Sequence, residues 1–389
     1  MMKTLRELDL RGKKVFIRVD FNVPIEDGKI TDDTRIVESL PTIDYAIKAG
    51  GKVILCSHLG RPKGKRVPEL SLKPVYEYLK GVLKTEVKFL EDYLGEEADR
   101  ALAELKEGEV LLLENVRFYE GETKNDPEFV KALARMADVY INDAFSVCHR
   151  AHASVVGIPS LVREKGMGFQ LEKELKYLSK VVGKPERPLY AVVGGSKVST
   201  KIGVLKNLLP RIDKLLIGGA MANTFLSALG YSVGKSLVEE EYREIAKDIL
   251  RSAKELEVKI YLPVDVVVER DGEIYEADLL SIEEGDVIYD IGEETVALFS
   301  AALEGAHTVI WNGPLGYFEK DEYAFGTIAI ARKIASLQAL TIAGGGDTIA
   351  ALRKAGVITA LSYVSTAGGA FLEYLEGKTL PGLKALEEV

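Results

Sequence analysis

The chain has almost nothing from which to build a covalent framework: two cysteines, Cys56 and Cys148, in 389 residues. That excludes the disulfide-stapled secreted scaffolds and suits a reducing compartment. Basic residues fall short of acidic ones, 51 against 60, for a formal net charge of −9. A general nucleic-acid binder would carry a basic stripe and a high pI instead, although a local arginine cluster can still oppose the global sign. The opening segment MMKTLRELDLRGKK is charged throughout and lacks the apolar core of a signal peptide. The one uncharged stretch of near-membrane length, residues 355–372, holds three glycines, so a buried strand, a Gly-rich turn and a helix start are expected there. Glutamine occurs only at Gln170 and Gln338 beside abundant Lys and Glu, a bias in the thermophilic direction. Two nucleotide signatures are missing as well. GYSVGKS, residues 230–236, is one residue short of a P-loop and follows a helical pattern, and no G-x-G-x-x-G follows the first strand.

What is present is an ordinary globular composition, 47% hydrophobic and 29% charged. The length exceeds what one core usually supports and points to two domains. Strand candidates KKVFIRV, KVILCS, EVLLLENV and DVYIND occupy the first half; PLYAVV, KLLIGG, HTVIWN and ALTIAG occupy the second. Helical patterns such as DDTRIVESLPTIDYAIKAG, DPEFVKALARMA, TKIGVLKNLL and EYREIAKDILRSAKEL alternate with them. Such alternation predicts parallel sheets covered by helices on both faces. The division is expected near residues 160–190, where the helical stretch FQLEKELKYLSKVV runs into GKPERP.

Ligands of open α/β sheets bind outside the carboxyl ends of the strands, so the residues following each strand are informative. In the first half these are Asp20 and Asn22, then His58 and Arg61, then Arg117, then His149, Arg150 and His152, with Arg35 at the start of the first helix behind a Thr31–Thr34 capping segment. One arginine after a strand means little, but recurrence after four strands fits a small ligand with phosphate, carboxylate and hydroxyl groups. Arginine's planar fork binds the anions, and Asp20 and Asn22 can receive the hydroxyl. A zinc site at Cys148, His149 and His152 is the weaker reading, because Arg150 between them repels a cation. Arg18, inside its strand, reads as structural. In the second half the strands end in GGSKVSTKI, GGAMANTF, NGPLGYFE and GGGDT. Glycine lets backbone N–H groups approach a phosphate or a flat base, and a following helix N-terminus favours negative charge. Lys197 and Lys201, four apart, are expected on one face of the next helix, and Asp347 is a carboxylate suited to Mg²⁺ on a nucleotide. The α/β pattern alone also suits an NAD-dependent oxidoreductase, which the missing fingerprint disfavours, or a non-catalytic anion binder.

Together RVDFNVP, SHLGRP, ENVRF, HRAHAS, GGSKVSTKI, WNGPLGYFE, GGGDT and STAGGAFLEYLEGKTLPG, collinear from end to end, resemble the phosphoglycerate kinase family. The resemblance implies an α/β fold of two Rossmann-like domains, each a mostly parallel sheet with helices on both faces, separated by a hinge cleft. It implies a glycerate-binding domain of residues 1–168 plus 375–389 and a nucleotide-binding domain of residues 169–374. The implied reaction is reversible, Mg²⁺-dependent in-line phosphoryl transfer after domain closure, from 1,3-bisphosphoglycerate to ADP, giving 3-phosphoglycerate and ATP. By resemblance Asp20, Asn22, Arg35, His58, Arg61, Arg117 and Arg150 carry the glycerate ligand. Lys197, Lys201, Gly292, Glu319, Gly345, Gly346, Asp347 and Thr348 line the nucleotide site, with Asp347 on Mg²⁺. Arg35 and Lys197 are assigned to catalysis. The attacking group of the ATP-consuming direction is a carboxylate ionised at neutral pH, so no general base is required. A cytoplasmic monomer without nucleic-acid or membrane partners is expected. Three departures from the family pattern stand out: Thr200 where Asp is common, Ser146 and Cys148 where smaller residues are usual, and Ala367 interrupting a glycine triplet.

Overall fold

The computed structural model describes residues 1–387. It divides into two compact units, Met1–Leu175 joined by the chain from Thr379 onward, and Lys176–Lys378. The division falls inside the helix Phe169–Val182.

The first unit is built on β1 (Lys14–Arg18), β4 (Lys52–Cys56), β5 (Val87–Leu90), β6 (Val110–Leu113), β7 (Val139–Asn142) and β8 (Glu164–Met167), with a small hairpin of β2 (Ile25–Glu26) and β3 (Lys29–Ile30) between the first two. The sheet order is β5-β6-β4-β1-β7-β8, and every neighbouring pair is parallel. Its register aligns like with like: Val15 faces Val53 and Val139, and Ile17 faces Leu55 and Ile141. These side chains, with Val110 and Leu112, form one fully buried face. Phe16, Ile54, Leu111 and Tyr140 are equally buried on the other. Burial on both faces is why these strands read as continuous apolar runs and not as alternation. Each large side chain so removed from water contributes about 1.5–3 kcal/mol. From β1 the chain crosses to β4 on one side and later to β7 on the other, so the strand order reverses around β1. Loops that follow strands at such a reversal splay apart and leave a crevice.

The second unit repeats the logic with β9 (Leu189–Val193), β10 (Lys214–Ile217), β11 (Lys259–Tyr261), β15 (Thr308–Asn312), β16 (Leu340–Gly344) and β17 (Tyr363–Ser365). The order β11-β10-β9-β15-β16-β17 is all parallel. Counted within the unit this is 3-2-1-4-5-6, the doubly wound order with its reversal between β9 and β15. Trp311 lies opposite Val192 and Ala343 in the register, and all three belong to one buried cluster. Residues 355–372 resolve into β17, the turn around Gly368 and the start of the helix Gly369–Leu375. No helix among the described residues is long and apolar enough to cross a membrane.

The strand patterns read from the sequence lack the β2–β3 hairpin, the strands β5, β8 and β11, and one whole further sheet. β12 (Asp265–Arg270), β13 (Glu273–Asp278) and β14 (Val287–Ile291) form a separate antiparallel sheet, inserted between β11 and β15. Its local signal is Asp271-Gly272 between two strands. Both residues take positive φ, 50-odd and 83°, with Asp271 at 51°, as a two-residue hairpin turn demands.

Candidate active site

In the first unit, all the sequence-derived anion groups emerge from loops at the carboxyl ends of β1, β4, β6 and β7, or from the helix Thr34–Lys48. That helix is N-capped by Asp33, but the Asp32 carboxylate is the one that accepts the Thr34 N–H, at 3.0 Å. It thereby fixes the first turn on which Arg35 sits. Arg35 donates from Nη1 to the Asn22 carbonyl at 2.9 Å and stands 3.6 Å from Asp20 Oδ2. Asp20 accepts the Asn22 N–H at 2.9 Å and the Ser146 hydroxyl at 2.6 Å, so Ser146, a departure from the family pattern, orients that carboxylate. Asn22 Oδ1 accepts the Gly60 N–H at 3.0 Å, and the Gly60 carbonyl accepts from Arg117 Nη1, also at 3.0 Å. Asp20, Asn22, Arg35 and Arg117 are therefore tied into one chain of hydrogen bonds through the SHLGRP loop.

Electrostatics extends the group. Burial pushes Arg117 down to about 10, and the neighbouring charges of Arg18, Arg150 and Arg61 add to that depression against the opposing pull of Glu122. His58 is buried, and its pKa lies well below the usual imidazole value, first from burial and then from Arg18, Arg117, Arg35 and His152. His152 is lowered to about 4, again by burial first and by Arg117, Arg18 and Arg150 next. Eight sequence-derived residues are thus linked by hydrogen bonds or by mutual electrostatic influence, and the crowded arginines among them suit a small polyanion. Cys148 does not take part. Its buried Sγ donates to the Ala144 carbonyl, and desolvation pushes the thiol up to about 12.

The second unit presents a cavity of about 350 Å³ at the carboxyl ends of its strands, lined on one side by Gly195, Ser196, Gly219 and Pro314. Three turns cross there at backbone contact. Gly194 N–H donates to the Asn312 carbonyl, Gly195 N–H to Pro314 and Gly219 N–H to Leu315, at 2.9–3.0 Å. A Cβ on Gly194 would sit 2.1 Å from the Pro314 oxygen, so only glycine fits. Val266, Val287, Ile288 and Ile291 of the antiparallel sheet, with Leu237 and Leu315, give the cavity an apolar wall. Tyr289 is braced behind it by stacking on Tyr323, ring centroids 4.7 Å apart. Glu319 and Asp347 are the carboxylates at its exposed rim. The shape suits a flat heterocycle between apolar surfaces, with phosphates running along glycine turns.

The remaining sequence-derived residues surround this cavity without lining it. Lys197 and Lys201 do not share a helical face, because the helix begins only at Ile202 and Lys201 is its N-cap. GGSKVST is too rich in Gly and Ser to start the helix earlier. Lys197 is exposed on the turn. Lys201 is buried, donates to Asn312 Oδ1, and has its pKa lowered to about 8 by burial, with Asp347 opposing the shift. Gly345 takes φ 101° and caps the helix Gly346–Ala355, which places Asp347 in its first turn and not at its cap. The Thr348 hydroxyl is buried and accepts the Gly313 N–H at 2.8 Å, fastening β15's turn to that helix. Gly292 caps the helix Glu293–Leu303, and a Cβ there would strike Asp265 Oδ2 at 2.1 Å. Its part is to join the inserted sheet to the helix closely. Sequence reasoning overlooked Asn312 and the whole β12–β14 wall. It also set aside Arg18, although an arginine within an apolar strand must be paired when buried.

Arginines gathered at the strand ends of one parallel sheet, and a glycine-turned, base-sized cavity on another, suit a nucleotide-dependent kinase of small acids. Residues 5–378 match the family model described as phosphoglycerate kinase. The chain is 52% identical over 394 residues to the phosphoglycerate kinase of Desulfotalea psychrophila, covering 99% of this chain and 100% of that one. It is 53% identical over 391 residues to that of Thermosipho africanus, covering 98% and 97%. Among solved structures, the phosphoglycerate kinase from Coxiella burnetii superposes with a TM-score of 0.92 at 43% identity, over 99% of this chain and 98% of that one. The chain belongs to the phosphoglycerate kinase family. It is a phosphotransferase with a carboxylate acceptor, acting in glycolysis between 1,3-bisphosphoglycerate with ADP and 3-phosphoglycerate with ATP.

Proposed function

We propose that the first unit binds the glycerate through Asp20, Asn22, Arg35, His58, Arg61, Arg117 and Arg150, and that the second binds the nucleotide over the glycine turns. The observation that carries this is the chain of hydrogen bonds gathering Asp20, Asn22, Arg35 and Arg117 at the strand ends, where burial and then the charges of Arg18, Arg150 and Arg61 push Arg117 down. Direct in-line transfer requires both sets to reach one phosphoryl group, which makes domain closure part of this reading. With a carboxylate as nucleophile, catalysis reduces to positioning and charge neutralisation, assigned to Arg35 and Lys197. Arg117→Ala is expected to weaken 3-phosphoglycerate binding roughly 10- to 100-fold, the worth of one charged hydrogen bond, and to leave ADP binding unchanged. Calorimetric titration of both ligands checks this, and the opposite pattern reverses the assignment of the units.

Mg²⁺ fits the second unit through Asp347. Among the described residues no three His, Cys, Asp or Glu side chains gather as a metal cage. An exposed carboxylate beside a phosphate site suits Mg²⁺ held mostly by nucleotide oxygens and water. When bound, the ion neutralises charge on the nucleotide phosphates. Lys201 adds a pH dependence. Its ammonium is present below about 8 and lost above, so if it serves the phosphates, ADP affinity falls as pH rises past 8, by at most about tenfold per pH unit. The same titration on Lys201→Arg, always charged, is expected to be flat there. An equal decline in both proteins removes Lys201 from the phosphate site. Two free, buried thiols support a reducing, cytoplasmic setting.

A further inference from the structure

Arg18 ends β1 with no exposure to solvent, and each of its nitrogens has a partner. Nε donates to Ser154 Oγ at 2.8 Å and Nη1 to the Val19 carbonyl at 2.6 Å. Nη2 lies 3.1 Å from His58 Nδ1 and 4.0 Å from Glu122 Oε2. Glu122, also fully buried, accepts the Ser154 N–H at 2.7 Å and the Ser154 hydroxyl at 2.6 Å. The proton positions follow from these contacts. Serine has one hydroxyl proton and gives it to Glu122, so its oxygen is free to accept from Arg18. A guanidinium has only donors, so Nη2 donates to His58 and Nδ1 must be bare. A neutral imidazole then carries its proton on Nε2.

We infer that Arg18, held by Glu122 and Ser154, is a positioning residue that locks His58 as the neutral Nε2–H tautomer, offering the anion site a hydrogen-bond donor without a charge. This rests on the reading that His58 binds the glycerate. The other charged or titratable groups around His58 are Arg35 from its helix, Arg117 after β6, and His152 after β7, and each disfavours a second proton on the ring. Glu122 is the nearby carboxylate, and its oxygens are already engaged with Ser154 and Arg18. A protonated His58 would set an N–H against the Arg18 N–H and break the network. The donor is therefore constant through the pH range in which a free imidazole, with a pKa near 6.5, changes character.

The test is ¹⁵N–¹H correlation NMR on histidine-labelled whole protein between pH 5.5 and 8, with and without 3-phosphoglycerate; His58→Asn identifies the His58 signals. The expected result is an Nε2–H pattern that does not titrate, with the Nε2 proton shifting when 3-phosphoglycerate is added. An Nδ1–H pattern, or titration near 6.5, overturns the inference, as does an Nε2–H signal indifferent to bound ligand. If calorimetry finds no 3-phosphoglycerate binding at all, the glycerate reading beneath it has failed instead. Arg18→Met alone would strand Glu122, so the paired variant is Arg18→Met/Glu122→Gln. It is expected to release His58 into titration and to raise KM for 3-phosphoglycerate about tenfold, with kcat and the ADP KM within about twofold. An unchanged His58 pattern in that variant assigns the tautomer to something other than Arg18.

Discussion

Replacing Arg35 by alanine is expected to lower kcat by roughly 10²–10³, the usual loss when one preorganised charge-stabilising donor is removed. The reaction offers no proton transfer to catalyse, since the acceptor carboxylate is already ionised. What remains is to hold the reactants in line and to neutralise charge on the passing phosphoryl group. Arg35 is fixed in place by its contacts. Its Nη1 is anchored on the Asn22 carbonyl at 2.9 Å and lies 3.6 Å from Asp20, and the side chain is 30% exposed. The fold loses little with it. An ion pair in partial contact with solvent is worth about 0–1 kcal/mol, so the urea midpoint should stay close to that of the parent. A normal kcat with a raised KM would reduce Arg35 to a binding contact. A large shift in midpoint would mean that the loss reflects folding.

The second large effect is expected in the nucleotide unit, where Gly219→Ala should cost about 3 kcal/mol or more and weaken ADP binding at least about tenfold. Gly219 sits at φ 70°, ψ −174°, a region open essentially to glycine alone and costing about 1–3 kcal/mol for other residues. A Cβ there also meets Gly195 O at 2.5 Å, and Gly195 N and Pro314 O at 2.8 Å. These are backbone atoms of the two neighbouring turns, so no side chain can rotate aside. Relief has to come from moving the loops that line the cavity, which couples the stability loss to the ligand site. Gly81→Ala is the contrast. It lies inside the helix Lys73–Val82 with nothing within 4 Å of the added carbon, and should gain up to about 1 kcal/mol. Thermal unfolding and ADP titration of the two variants check the pair. If Gly219→Ala matches the parent in both, the crossing of the three turns does not hold the cavity open.

The two halves of the site were not equally readable. Asp20, Asn22 and Arg117 follow apolar strands and Arg35 opens the first helix, and an anion-binding loop needs little beyond a strand end and an arginine, so their gathering follows from parallel-sheet geometry. The nucleotide side was harder. Glycine turns signal close backbone approach, yet not which backbone approaches: Gly194 is obligatory because of Pro314, more than a hundred residues away in sequence. Lys197 and Lys201 have helical spacing on paper, but the helix waits until Ile202. The β12–β14 sheet was missed although Asp271-Gly272 marks its hairpin, because its exposed outer strand lacks the apolar run that marks the eight buried ones.

By itself, the sequence determined the α/β class, the alternation into two parallel sheets, the eight central strands and the kinds of group at their ends. These depend on local propensity and burial pattern, which are written residue by residue. Only the tertiary structure decided that Arg18, inside its strand, meets His58 at 3.1 Å and Glu122 at 4.0 Å, and that an antiparallel sheet walls the nucleotide cavity. Such pairings join residues 40 to 104 positions apart, and their register is chosen by the packing of whole elements. No local pattern contains that choice, because it is settled by the need of buried charges and N–H groups for partners when the layers close.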